Sequence, residues 1–295
     1  MTDTSLRPSS PPLPRPERLE SPPPASDVVQ LPLSRWVRAW NNGGLRKAVL
    51  ILALLGVWEG YARSLNNPLL FPTFSSTLAA LVAGIGSGQI PRAAGFTLSL
   101  LLRGYLLGLV LAGVLVTVAV ASRLGSDLLE TLSAMFNPLP SVALLPLALI
   151  WFGLGNSGVI FVLVHAVLWA VALNTYAGVK GITPTLRMVG QNYGLSTLGY
   201  ITRVLIPGAF PSLLTGAKVG WAFAWRTLIA AELVFGVTSG SGGLGWYIYE
   251  QKNLLRIPEV FAGLLTVTLF GLFVEHVIFR TIEVRTIRRW GMQQA

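Results

Sequence analysis

Six apolar stretches dominate this chain, at about 47–65, 96–121, 129–152, 157–178, 209–236 and 258–280. Each meets or nearly meets the ~20 residues a helix needs to cross ~30 Å of hydrocarbon at ~1.5 Å per residue. A transmembrane barrel would instead show alternating segments of about ten residues, and none occur. The composition agrees: 53% of the 295 residues are hydrophobic and 12% charged, where soluble domains carry about 25% charge. So little polar surface cannot cover a water-exposed globule, which excludes a soluble enzyme, and the apolar content excludes a disordered chain. The sequence predicts an all-α integral membrane protein with six transmembrane helices.

Residues 1–44 are read as a disordered, proline-rich cytoplasmic tail and lead-in. Pro8, Pro11, Pro12, Pro14, Pro16, Pro22, Pro23, Pro24 and Pro32 remove donors and fix φ, so neither helix nor packed core is expected there. The net charge of +10 follows membrane orientation rather than nucleic acid. With the N-terminus inside, the inner side holds Arg35, Arg38, Arg46, Lys47, Arg123, Lys180, Arg187, Arg203, Arg280, Arg285, Arg288 and Arg289. The outer side holds only Arg63, Arg92, Lys252 and Arg256. This bias predicts a multi-pass membrane protein with both termini cytoplasmic. Residues 45–285 form the membrane domain and 286–295 a cytoplasmic C-terminal tail. There is no cysteine, and His165 and His276 stand far apart, so no zinc motif exists.

The connections differ in character. The first holds an amphipathic stretch from Phe74 to Ile85, expected as an external surface helix. The fifth joins a Ser239–Gly243 run to Trp246, Tyr247 and Tyr249, expected to be half-embedded outside. The fourth, 179–208, is the long cytoplasmic one. Thr183 and Pro184 signal a helix start, and Gly194 a stop. Leu186, Val189, Gly190 and Tyr193 lend this short helix a partly apolar face, suited either to a groove on a partner or to packing on its own bundle.

Met188-Val189-Gly190, three residues, Gly194, nine residues, then Val204-Leu205-Ile206-Pro207 resembles the signature loop of ABC importer permeases. The family has glutamate where Met188 stands and alanine where Gly190 stands. Pro138-x-Pro140-x-x-Ala143-Leu144-x-Pro146-Leu147 with Trp151-Phe152-Gly153, and Trp225 through Ala230-Ala231-Glu232 with Gly243-Leu244-Gly245, are similar to the nitrate/sulfonate/taurine branch. The resemblance implies a type I importer permease (MetI-like) fold, with about 183–196 as the coupling helix. Arg187, Met188, Val189, Gly190, Tyr193, Gly194 and Pro207 would face the ATPase. It further implies two cytoplasmic ABC ATPase subunits, which carry the ATP and Mg, and a periplasmic solute-binding protein. A homodimer is expected because the chain carries a single set of six helices.

Charges at membrane depth cost ~2.5 kcal/mol or more, so each needs a partner or a wet path. Glu232 and Arg226 are candidates for the translocation path, although six residues of straight helix point them in different directions; Glu232 alternatively lies at the dimer interface or makes a structural bond to a neighbouring helix. Three prolines in ten residues break the third segment, and broken helices at membrane depth line cavities or lie buried in protein. Asn137 and Pro138 at that break are the other path candidates, with Asn137 alternatively capping the broken backbone. Lys218 is read as snorkelling to the cytoplasmic surface. The chain has no phosphate-binding loop and no catalytic constellation. The reading is a non-enzymatic permease of an ATP-driven importer for a small oxyanion: sulfonate or taurine first, then nitrate or bicarbonate. The alternative is a channel or secondary transporter that needs no ATPase.

Overall fold

The computed structural model describes Ser34, Val37, residues 40–235 and residues 242–289. The proline-rich stretch, the Ser239–Ser241 run and the last six residues lie outside these, so the expected N-terminal tail falls outside the described part. The chain divides into two units, one up to Leu54 and one from Leu55 onward.

Every described element is helical. In order they are α1 (Gly43–Leu65), α2 (Phe74–Gly86), α3 (Gln89–Ala121), α4 (Arg123–Phe136), a 3-10 turn (Ser141–Leu144), α5 (Leu145–Phe152) and α6 (Asn156–Lys180). Next come α7 (Pro184–Asn192), then a short helical turn (Thr197–Tyr200) and a π-helical stretch (Ile201–Leu205) that run without a break into α8 (Ile206–Phe235), then α9 (Leu244–Asn253) and α10 (Ile257–Arg288). By length and apolarity α1, α3, α6 and α10 can each cross a membrane. The bent pair α4 with Ser141–Phe152 is apolar enough to add a fifth where it crosses as one broken span. The sixth expected segment is α8, 30 residues long, whose Lys218, Arg226 and Glu232 dilute its apolarity. The C-terminal helix continues to Arg288, three residues into the stretch expected as tail.

The core is centred on α6, which is buried around most of its circumference by α3 on one side and α8 on the other. Lipid tails are as apolar as leucine, so membrane helices associate by close packing rather than by expulsion from water. Small residues supply that packing. Gly104 and Gly108 of α3 meet Leu163 and Val167 so closely that an added Cβ would lie 2.6 and 2.7 Å from those side chains. Gly216 and Gly220 of α8 do the same against Asn174 and Val171, at 2.8 and 3.1 Å. Both pairs have the four-residue spacing of a small-xxx-small stripe. The Tyr105 hydroxyl then ties α3 to α8 by donating to the Ala217 carbonyl at 2.9 Å.

The tryptophans mostly pack within the protein. Trp225 stacks on Phe270, Trp221 meets Tyr105 edge-on, and Trp58 donates to the Pro72 carbonyl at 3.0 Å. In the fifth connection Tyr247 is buried in the bundle rather than placed at a lipid interface, because α9 packs against α10, α8 and α3. The expected helix at Phe74–Ile85 is α2, started by the Thr73 side chain accepting from the Ser76 N–H.

Candidate translocation path and coupling surface

The break in the third segment is sharp: α4 and the Ser141–Phe152 stretch meet at 84°. Proline at 138 and 140 supplies no N–H to continue the ladder, and Asn137 is the C-cap of α4. His165, on the facing helix α6, straddles the break. Its Nε2 lies 3.2 Å from the Phe136 carbonyl, so that nitrogen donates; its Nδ1 lies 3.2 Å from the Ser141 hydroxyl. Phe136 also stacks on Trp169 at 5.9 Å. The bend is thus held from α6, not by the prolines alone.

Beside it lies a cavity of about 290 Å³ lined by residues 137–142, His165, Ala166, Trp169, Ala170, Phe223, Arg226 and Thr227. Three of the four residues expected on the path, Asn137, Pro138 and Arg226, share this wall. Arg226 has no ion pair among the described residues, and the indole N–H of Trp169 has no partner among them. His165, Ser141 and Thr227 were not among the candidates. No sequence signal marks them, since the wall is assembled from three helices.

Glu232 is elsewhere. Only 3% exposed, it accepts from the Thr97 hydroxyl, 2.8 and 3.0 Å from its two oxygens, and from the Gly245 N–H at 2.8 Å. The Thr97 hydroxyl in turn accepts from the Leu244 N–H at 2.8 Å. The carboxylate and the Thr97 hydroxyl it holds thus take the first two backbone N–H groups of α9, where the helix dipole favours negative charge. No side chain fits here: a Cβ on Gly245 would lie 2.6 Å from the Ile229 carbonyl, and one on Gly243 2.0 Å from the carboxylate itself. No ion pair joins Glu232 to Arg226. Lys218 does not simply snorkel. It forms an ion pair with Glu283 of α10.

At the opposite end of the sequence motif, α7 starts at Pro184 as expected and carries Arg187 and Val189. Met188 and Leu186 are exposed, and Tyr193 is 80% exposed. Gly190 is turned inward instead: a Cβ there would lie 2.5 Å from the Tyr200 ring. Glycine is required because the loop folds back on itself, so Gly190 supports the exposed face without forming part of it. Gly194 has φ of +60° with nothing within 4 Å of a Cβ, so its constraint is conformational. Pro207 follows directly on the π-helical stretch Ile201–Leu205, which runs unbroken into α8.

Residues 104–284 match the sequence profile of the binding-protein-dependent transport system inner membrane component family. The chain is 31% identical, over 74% of its length and 82% of the relative's, to a putative ABC transporter permease of Methanocaldococcus jannaschii. It is 30% identical to the taurine transport system permease of Escherichia coli K12, over 76% of this chain and 82% of that one. A nitrate import permease of Synechocystis is 27% identical over 79% and 86%.

Proposed function

Since the chain belongs to the family of inner membrane components of binding-protein-dependent transport systems, we propose that it is the permease subunit of an ATP-driven importer of a small oxyanion. Its relatives are transport components and not enzymes. The observation that carries the substrate class is Arg226, a cation without an ion-pair partner among the described residues, set at the bend cavity with Asn137 and Pro138. The names of relatives that handle taurine, aliphatic sulfonates and nitrate agree with it. Asn137, Pro138 and Arg226 would form part of the path. Glu232 would serve it indirectly, by fixing α9 over α3 and α8.

In this proposal both termini are cytoplasmic and the chain works as a homodimer in a bacterial inner membrane. Two ATPase subunits bind ATP and Mg, and a solute-binding protein delivers substrate from outside. The face made by Arg187, Met188, Val189, Tyr193 and Gly194, backed by Gly190 and Pro207, would seat on each ATPase. ATP-driven closure of the ATPases then moves this face and alternates access, so that nucleotide energy biases a two-state element. Native mass spectrometry of the tagged, detergent-extracted complex tests the assembly. Two copies of this chain with two ATPases are expected, and a stable assembly of this chain alone would favour a channel or secondary carrier. Stimulation of ATP hydrolysis by the loaded binding protein, compared across taurine, ethanesulfonate, nitrate and bicarbonate, tests the substrate class.

A further inference from the structure

A second cavity, of about 480 Å³, opens between α8 and α10. On α8 its wall is Lys218, Trp221, Ala222, Trp225 and Arg226, positions i, i+3, i+4, i+7 and i+8, which form one stripe of a helix. Arg226 therefore borders both this cavity and the one at the bend. Lys218 lies two turns away, ~12 Å along the same face. Trp221, between them, has an indole N–H with no partner among the described residues. Along this stripe the polar side-chain groups are two cations and the indole N–H groups of Trp221 and Trp225, all hydrogen-bond donors that suit an oxyanion.

One of the two cations is already occupied. The Glu283 carboxylate sits on the Lys218 ammonium. The pair is not sealed in the core, because Lys218 retains 35% and Glu283 20% side-chain exposure and Lys218 lines the cavity. Glu275 of α10 also borders the cavity and has no ion pair among the described residues. With both carboxylates in place the four charges cancel, and an entering anion would meet no net attraction. If Glu283 withdraws, the wall becomes net positive.

We propose that Lys218 is a second oxyanion station, following Arg226 along α8, and that the Glu283 carboxylate is a tethered stand-in anion which the transported oxyanion must displace. This inference rests on the oxyanion reading of the substrate. A purely structural ion pair would make the opposite demand, since removing one partner of a buried pair leaves an uncompensated charge that no solute relieves.

The test is thermal unfolding of the full-length chain in nanodiscs, titrated with ethanesulfonate or nitrate at ionic strength matched with sodium chloride. A ligand that binds the folded state raises the midpoint with concentration. Glu283→Gln is expected to bind ethanesulfonate at least tenfold more tightly than the unaltered chain, and Lys218→Met/Glu283→Gln to lose that gain. Glu283→Asp, with its charge on a shorter arm, is expected to fall between and decides the matter should Glu283→Gln fail extraction. Equal titrations for all variants that fold would overturn the proposal. Failure of every oxyanion to stimulate ATP hydrolysis in the unaltered complex would instead sink the substrate reading. Stimulation there with no effect of Glu283 would sink only the station at Lys218.

Discussion

Thr97 of α3 and Glu232 of α8 are joined by a buried hydrogen bond, and the same Thr97 hydroxyl accepts the Leu244 N–H at the start of α9. One oxygen atom therefore fixes three helices relative to one another. It donates to Glu232 and accepts from the Leu244 N–H, so removing the hydroxyl breaks both contacts at once.

Replacing Thr97 by Val strands a buried carboxylate contact and a backbone N–H together. Unmet buried polar groups cost about 1–3 kcal/mol each, so the midpoint of thermal unfolding in detergent should fall clearly. Thr97→Ser keeps the hydroxyl and should stay close to the unaltered chain. Equal losses in both variants would mean that the methyl group, and not the hydroxyl, matters.

The glycine stripes make a packing prediction with an internal control. Gly216→Val drives a side chain into Asn174 and the Ala170 carbonyl, 2.8 and 3.2 Å from the Cβ position. Overpacking of this kind costs about 1–3 kcal/mol. Gly113 of the same α3 that carries Gly104 has nothing within 4 Å, so Gly113→Ala should be neutral or slightly stabilising. The check is the unfolding midpoint of each variant.

On the coupling face, exposure separates docking from folding. Tyr193→Ala should change the stability of the isolated chain by no more than about 0.5 kcal/mol, as surface substitutions do, yet sharply reduce co-purification of the ATPase. Gly194→Val should do both kinds of damage. It places a β-branched residue at positive φ, costing about 1–3 kcal/mol, and misdirects the chain after α7. Retained ATPase binding in Tyr193→Ala would remove that residue from the contact.

Arg226→Gln should lower substrate-stimulated ATP hydrolysis at least tenfold while leaving the basal rate within twofold. Arg226→Lys, which keeps the charge without the planar fork, should recover part of it. An unchanged response in Arg226→Gln would place the anion contact elsewhere.

His165 offers a test of the bend. His165→Leu removes both hydrogen bonds across the break, and the Phe136 carbonyl and Ser141 lose their partner on α6. A loss of about 1–3 kcal/mol is expected in unfolding experiments. His165→Gln, able to reach one of the two groups, should lose less.

Periodicity and hydropathy made most of the helices legible, because each span must satisfy its own backbone in lipid. The proline cluster announced the break, and Thr183-Pro184 announced α7. What could not be read was side-chain pairing across helices. Glu232 and Thr97 are 135 residues apart, Lys218 and Glu283 are 65 apart, and nothing local distinguishes a paired charge from an open one. Gly190 shows the same limit: the sequence sets it on the docking face, whereas its small size is required by the ring of Tyr200 behind it. His165 went unassigned because its partners lie on two other segments.

The modest apolarity of α8 bears on how the protein is made. Three ionisable residues in a single span raise the cost of its entry into lipid, each by about 2.5–3.5 kcal/mol at the centre of a helix. Two of them are matched by groups outside the helix: Glu232 by Thr97 on a helix synthesised earlier and Gly245 on one synthesised later, and Lys218 by Glu283 on the last helix. During biosynthesis α8 therefore reaches the membrane with Glu232 able to find only one of its donors, Thr97, and Lys218 still waiting for its partner. Its final seat is completed only when the last helix has left the ribosome.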